Sequence, residues 1–151
     1  MATAKIEIVG PAEYELITDL YNAVFKPPVD AQFFEQRLQH HNSLVMVAEL
    51  DKRPVGFSCG YELRPSTFYS WLYGVLPDAR HLGVATQLMD AEYACVSNRG
   101  YEMIRMECYN NHRPMLLLAI KRGYDIVGIR WDSRTAENLV VFEKYVSADG
   151  T

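Results

Sequence analysis

The sequence predicts a mixed α/β domain, and three observations predict it. Apolar periodicity switches along the chain between a two-residue and a helical repeat, in the order β-α-α-β-β-β-α-β-α-β-β. The 151 residues are 49% hydrophobic, enough for one genuine core and consistent with a single domain over 1–151. Finally, the stretch from Val75 to Met89 reads as a strand end, a short turn and a helix opening on small residues, and the other elements are arranged around it.

Taken in order, Ile6 to Val9 is a short strand, and Pro11 opens a helix with Ile17, Leu20, Tyr21 and Val24 at helical spacing. Pro27-Pro28 stops it. Asp30 is an N-cap for a second helix that places Phe33, Phe34, Leu38 and His41 on one side. His40 and His41 are adjacent, lack the i, i+4 spacing of a chelating pair, and read as surface residues. Leu44 to Leu50 and Val55 to Tyr61 are strands joined by Asp51-Lys52-Arg53-Pro54, a hairpin signal. After Arg64-Pro65-Ser66-Thr67 comes the fourth strand, Phe68 to Leu76. Strict alternation puts Tyr69, Trp71 and Tyr73 on one face and Phe68, Ser70 and Leu72 on the other.

Pro77 ends that strand, since it cannot donate to a sheet. From Val84 the apolar stripe Leu88, Ala91, Cys95 is helical, and Asn98-Arg99-Gly100 is a C-cap. Met103 to Tyr109 is the fifth strand, and Asn110 to Pro114 a turn whose proline suits the first position of a helix. That helix, Met115 to Arg122, has basic residues in its last turn and Gly123 as its stop. Tyr124 to Trp131 and Asn138 to Tyr145 are the last two strands.

Composition excludes several functions. The net charge is −4 and the lysines and arginines are scattered, so no phosphate-tracking surface for nucleic acid is expected. No run approaches the ~20 apolar residues of a membrane span, and Met1 to Ile8 lacks a signal-peptide core, so no membrane association is expected and cytoplasmic residence is the default. The three cysteines are isolated in apolar runs and read as core residues, with neither a disulfide framework nor a metal site implied. Ten tyrosines and two tryptophans, without a basic groove, suit a core or a small-molecule pocket.

The junction carries the chemistry. The first N–H groups of a helix have no partner in the chain and sit at the positive end of its dipole. A strand–turn–helix with Gly83 at the turn can press several of them against a phosphate, and Arg80 adds a fixed positive charge. The pattern Pro77-x-x-Arg80-x-x-Gly83-x-Ala85 after an apolar strand resembles the acetyl-CoA pyrophosphate loop of the GNAT superfamily of N-acetyltransferases. The order of elements resembles that family over nearly the whole chain, as does the run Asn110 to Met115 continuing to Lys121-Arg122-Gly123-Tyr124.

The resemblance implies a mostly antiparallel sheet of about seven strands, splayed between the fourth and fifth and flanked by about four helices. It also implies acetyl-CoA as cosubstrate, held by Val75, Leu76, Arg80, His81, Leu82, Gly83, Val84, Ala85 and Thr86. An asparagine, Asn110 or Asn111, would contact the pantetheine arm. The thioester oxygen would meet a fourth-strand N–H, that of Val75 or Leu76. The fourth strand offers no carboxylate as general base. Glu62 and Glu107 are the nearest candidates, with bulk water as an alternative. The family tyrosine that protonates the departing thiolate is replaced by Ala119; of the nearby tyrosines, Tyr109 and Tyr124, neither occupies the family's position, the former is carried as a catalytic candidate, and water is the alternative proton source.

The implied function is acetyl transfer to a primary amine of a small molecule or peptide, directly within a ternary complex. Its alternative is a non-catalytic sensor of coenzyme A or an acyl-CoA on the same fold, which Ala119 and the missing carboxylate favour. A nucleotide-binding protein ranks last, because neither Gly-x-x-x-x-Gly-Lys-Ser/Thr nor Gly-x-Gly-x-x-Gly occurs. The apolar strand Leu139-Val140-Val141-Phe142 either pairs across a homodimer or lies inside the monomer, and the dimer is the expectation because such edges are usually covered.

Overall fold

The computed structural model of the chain describes residues 2–39 and 41–146. Its strands are β1 (Lys5–Val9), β2 (Leu44–Leu50), β3 (Arg53–Arg64), β4 (Thr67–Val75), β5 (Met103–Tyr109), β6 (Asp125–Asp132) and β7 (Glu137–Tyr145), and its helices α1 (Tyr14–Val24), α2 (Ala31–Leu38), α3 (Val84–Asn98) and α4 (Arg113–Lys121). The strands form one seven-stranded sheet in the order β1-β2-β3-β4-β5-β7-β6. Every pairing is antiparallel except β4 with β5, which is parallel.

Local chemistry accounts for the boundaries. Pro11 starts a 3₁₀ turn, Pro11–Glu13, and the α-helix begins only at Tyr14. Asp30 caps α2 as its side chain accepts from the Phe33 N–H at 3.3 Å. That helix ends at Leu38, so His41 is not on its face; His41 is exposed, and His40 lies outside the described residues. The β2–β3 hairpin turns on Asp51 and Lys52 alone, both at positive φ, which leaves Pro54 inside β3 beside a bulge at Ala48/Glu49. Gly100 and Gly123, at φ 85 and 87, terminate α3 and α4 where a side chain would be strained.

The sheet has a core on each side. Helices α3 and α4 bury Leu88, Val96 and Ala119 against Phe68, Ile104, Met106 and Phe142. Helices α1 and α2 bury Ile17, Leu20, Phe34 and Leu38 against Val45, Val47 and Phe57.

Two features of the sheet correct the sequence reading. Strand β3 opposes β4 as Cys59↔Leu72 and then Gly60↔Ser70, so Trp71 is an extra residue, a bulge. Alternation therefore breaks at Trp71. Trp71 and Leu72 both pack on the α1/α2 side, whereas Phe68 and Tyr73 pack on the α3/α4 side. Tyr73 thus does not share a face with Trp71. The second correction concerns Leu139 to Phe142. They lie inside the sheet, with β7 paired to β5 on one side and β6 on the other, and all four are buried. The edge beside them is β6, so the argument for a homodimer through β7 lapses.

The splay is visible in the register. Strand β5 pairs with β4 only from Thr67↔Met103 to Ser70↔Met106. Beyond Ser70 both strands continue, β4 to Val75 and β5 to Tyr109, without pairing. The separation begins at the bulge.

Candidate active site

The splay opens a cleft of about 710 Å³. Tyr73, Gly74 and Val75 form one wall, and Tyr109, Asn111 and His112 stand opposite. One end is bounded by Ala79, Arg80, His81 and Gly83 with Val84, Ala85 and Thr86 of α3; Pro114, Met115 and Leu118 of α4 line another side, and Val24 and Phe25 come from the end of α1. A second hollow, about 630 Å³, lies among Asn42, Ser43, Glu62, Ser66, Arg99 and Tyr101.

The loop before α3 is built by its own sequence. Pro77 begins a 3₁₀ turn in which the Ala79 N–H donates to the Leu76 carbonyl at 2.9 Å. His81 and Gly83 both take positive φ, 64 and 84, and turn the chain sharply into α3. Gly83 is the N-cap and brings no side chain to satisfy the first N–H groups of the helix. Those donors face the cleft end with their dipole unopposed by any cap. From outside, the Gln87 amide braces the turn by donating to the carbonyls of Ala2 (2.8 Å) and Gly83 (3.1 Å) and accepting from the Ala4 N–H (2.9 Å). The sequence reading missed Gln87, two of whose three partners lie more than 80 residues away.

Arg80 folds back so that its Nε donates to the Val75 carbonyl at 3.2 Å, bringing its charge to the cleft. His112, on the opposite wall, is held below the usual imidazole range by burial and then by the Arg80 charge.

The two candidate N–H groups differ. That of Leu76 donates to the Val55 carbonyl at 2.8 Å and is committed to the sheet. Since successive strand N–H groups point to opposite edges, the Val75 N–H is directed away from β3, into the unpaired gap.

Of the other expected site residues, Arg80, His81, Gly83, Val84, Ala85, Thr86 and Asn111 line the cleft, whereas Leu82 and Asn110 do not. Of the two asparagines left open by sequence, Asn111 is the one that lines the cleft, and its Nδ2 donates to Glu137 Oε1 at 3.0 Å. Glu62 is not brought to the cleft. It opposes Phe68, seven residues before Val75, or roughly 23 Å along an extended strand. There it accepts from the Tyr101 hydroxyl (2.9 Å) and from Asn42 (3.3 Å). Glu107, on the face of β5 opposite buried Met106 and Cys108, has both oxygens facing arginine: Arg130 donates to Oε1 from two nitrogens (3.0 and 2.8 Å), and Arg105 lies 3.6 Å from Oε2. Tyr109 lines the cleft and its hydroxyl donates to Asp132 Oδ2 at 3.0 Å. Tyr124 is buried in the core below.

One pair was not anticipated. The Tyr73 hydroxyl donates to Glu92 Oε1 of α3, and Glu92 is 1% exposed. Burial pushes the Glu92 carboxyl up to about 7, the hydrogen bond from Tyr73 opposing the shift. The buried Ser70 hydroxyl also faces this carboxyl and, like Tyr73, opposes the upward shift. The Tyr73 phenol is driven well above its ordinary value, first by burial and then by the charge of Glu92. The residues lie 19 positions apart on different elements, and in sequence each reads as part of a helix stripe or a strand.

Among the described residues, no group of three or more His, Cys, Asp or Glu is placed to hold a metal ion.

The profile of the acetyltransferase (GNAT) family matches residues 11–124. Among solved structures, the ribosomal-protein-S18-alanine N-acetyltransferase of Escherichia coli superposes with a TM-score of 0.85 at 13% identity, covering 96% of this chain and 95% of that one. The yncA acetyltransferase of Salmonella typhimurium, determined with acetyl-CoA, gives 0.77 at 14% identity over 95% and 94% of the two chains. Arabidopsis thaliana NAA60, in complex with a bisubstrate analogue, gives 0.78 at 13% identity over 97% and 99%. No curated protein matches the chain in sequence.

Proposed function

The chain belongs to the GNAT acetyltransferase family, and on that premise we propose that, as a single domain, it transfers the acetyl group of acetyl-CoA to a primary amine of a small molecule or peptide within a ternary complex. The observation that carries this reading is the cleft itself: strands that part at Ser70, closed at one end by the uncapped N-terminus of α3.

The diphosphate of acetyl-CoA is received by the first N–H groups of α3 and by Arg80, with Gly83 allowing the close approach. The pantetheine arm lies between β4 and β5, within reach of Asn111. Attack of the amine on the thioester carbonyl places negative charge on its oxygen, and the Val75 N–H meets that charge as it develops. The acceptor enters from the α1/α2 side, where Tyr109 lines the cleft and its hydroxyl, held on Asp132, gives the amine proton a route to solvent.

One observation favours the sensor alternative. Ala119 is fully buried and presents no hydroxyl from α4. Turnover with a broad panel of amines separates the two readings. The first test is calorimetric titration with acetyl-CoA, coenzyme A and ATP. Micromolar binding of acetyl-CoA with much weaker ATP is the expected result; absence of binding by both coenzymes would refute the proposal.

A further inference from the structure

We propose that Tyr73, backed by Glu92, delivers the proton that the departing thiolate of coenzyme A takes up. This rests on the acetyl-transfer reading above. It goes further by assigning the acid to a pair formed between β4 and α3 rather than to α4.

Three observations converge. The residues that α4 contributes to the cleft, Pro114, Met115 and Leu118, have no ionisable proton, and Ala119 beneath them is a methyl group. On β4, the bulge at Trp71 turns Tyr73 to the α3/α4 side, so that it lines the cleft two residues before Val75 and packs in the same cluster as Ala119. Behind it stands a fully buried carboxyl group with one oxygen on the Tyr73 hydroxyl. A buried carboxyl is costly when charged, and this one shares a proton site directly with the phenol. Tyr109, the other cleft tyrosine, already donates to Asp132 and stands on the acceptor side.

The step balances. As the carbon–sulfur bond breaks, its electron pair goes to sulfur, which takes the Tyr73 proton. Tyr73 takes the proton of neutral Glu92, which becomes a carboxylate. That end state is the hydrogen bond seen in the structure, Tyr73 donating to Glu92. The proton released by the acceptor amine returns through solvent and Tyr73 to reset Glu92.

Only protonated Glu92 can start the relay. Its carboxyl is raised to about 7, so the relay is loaded below that pH and unloaded above it. The groups facing Glu92 are Tyr73 and Ser70 of β4, Cys59 of β3 and Tyr124 ahead of β6; Lys144 of β7 stands behind, over the rings of Tyr93 and Tyr124 at 4.5 and 5.7 Å.

The test uses the full chain, Tyr73→Phe and Glu92→Gln. Calorimetry with acetyl-CoA comes first, since failure of the unaltered chain to bind would remove the acetyl-transfer reading and this inference with it. Given binding, turnover is followed across pH at saturating acetyl-CoA. Tyr73→Phe is expected to lower turnover about tenfold or more below pH ~7 and to leave no fall above it, with acetyl-CoA affinity retained. A fall above pH ~7 that persists with binding retained overturns the role of Tyr73. Glu92→Gln keeps the volume and an acceptor for Tyr73 but cannot pass a proton, and is expected to abolish the fall in turnover above pH ~7. Persistence of that limb overturns the role of Glu92. Should Tyr73→Phe not fold, the Glu92→Gln arm decides alone.

Discussion

From Thr67 to Ser70, β4 has a strand on each side, and from Trp71 to Val75 it has one only on the β3 side. The first half is buried framework: Phe68 is inaccessible, packed on Tyr101 and the α3/α4 core. The second half carries Tyr73, Gly74 and Val75 into the cleft. Each half carries two aromatic residues, so aromatic content does not distinguish them. What differs is the loss of a neighbour, which leaves backbone donors without a sheet partner. Inside a packed protein that is costly, and it persists where a ligand supplies the missing acceptor.

Substitutions divided between framework and site test this contrast. The largest effect is expected in the paired half. Phe68→Ala removes a fully buried ring and should cost about 3–5 kcal/mol of stability in denaturant unfolding. Acetyl-CoA affinity of the folded fraction should stay unchanged. Loss of affinity without loss of stability would mean that the paired half belongs to the site.

Gly83→Val should invert the pattern at the cleft end. A β-branched residue at φ 84 costs about 1–2 kcal/mol in the left-handed region, and its branches stand where the diphosphate must approach. Acetyl-CoA affinity should fall by roughly 100-fold or more, ~3 kcal/mol, with the fold retained. Unchanged affinity would remove the loop from the site.

The sequence shows the two halves unequally well. The loop is legible because its chemistry is local: Pro77, Arg80 and Gly83 each act on backbone within a few positions, and spacing alone brings them together. The C-caps at Gly100 and Gly123 are legible for the same reason. The faces of β4 are not, since the extra residue at Trp71 exists only relative to β3. Glu62 stands near the site when β3 is read as a short strand ending at Tyr61. Once β3 runs to Arg64 and pairs Glu62 with Phe68, the two ends of β4 are far apart. The place of β7 also depends on partners, because the chain returns between β5 and β6 instead of extending the sheet. Tyr73 and Glu92 illustrate the general point. A pair on two elements leaves no periodic trace, and a buried glutamate in a helix stripe looks like a solvated one until the helix is docked.

The smallest effect, and the one that sharpens the contrast most, is expected from Arg80→Ala. Arg80 is exposed and contributes nothing to either core, so stability should hardly move. Its charge nevertheless reaches two places in the cleft: the Val75 carbonyl, through Nε, and His112 across the gap. Loss of a charge-assisted bond to diphosphate should weaken acetyl-CoA binding by about 1–3 kcal/mol. The difference from the unaltered chain should shrink as salt is added, because an exposed charge is screened. In the free protein the same substitution should let the His112 titration rise towards its ordinary value, since one of the two causes of its depression is gone. Burial, the larger cause, remains, so the return should be partial. A proton NMR titration of His112 checks this without any ligand. If His112 moves but acetyl-CoA affinity does not, Arg80 reaches the cleft without meeting the diphosphate, and the uncapped N-terminus of α3 must bind it alone.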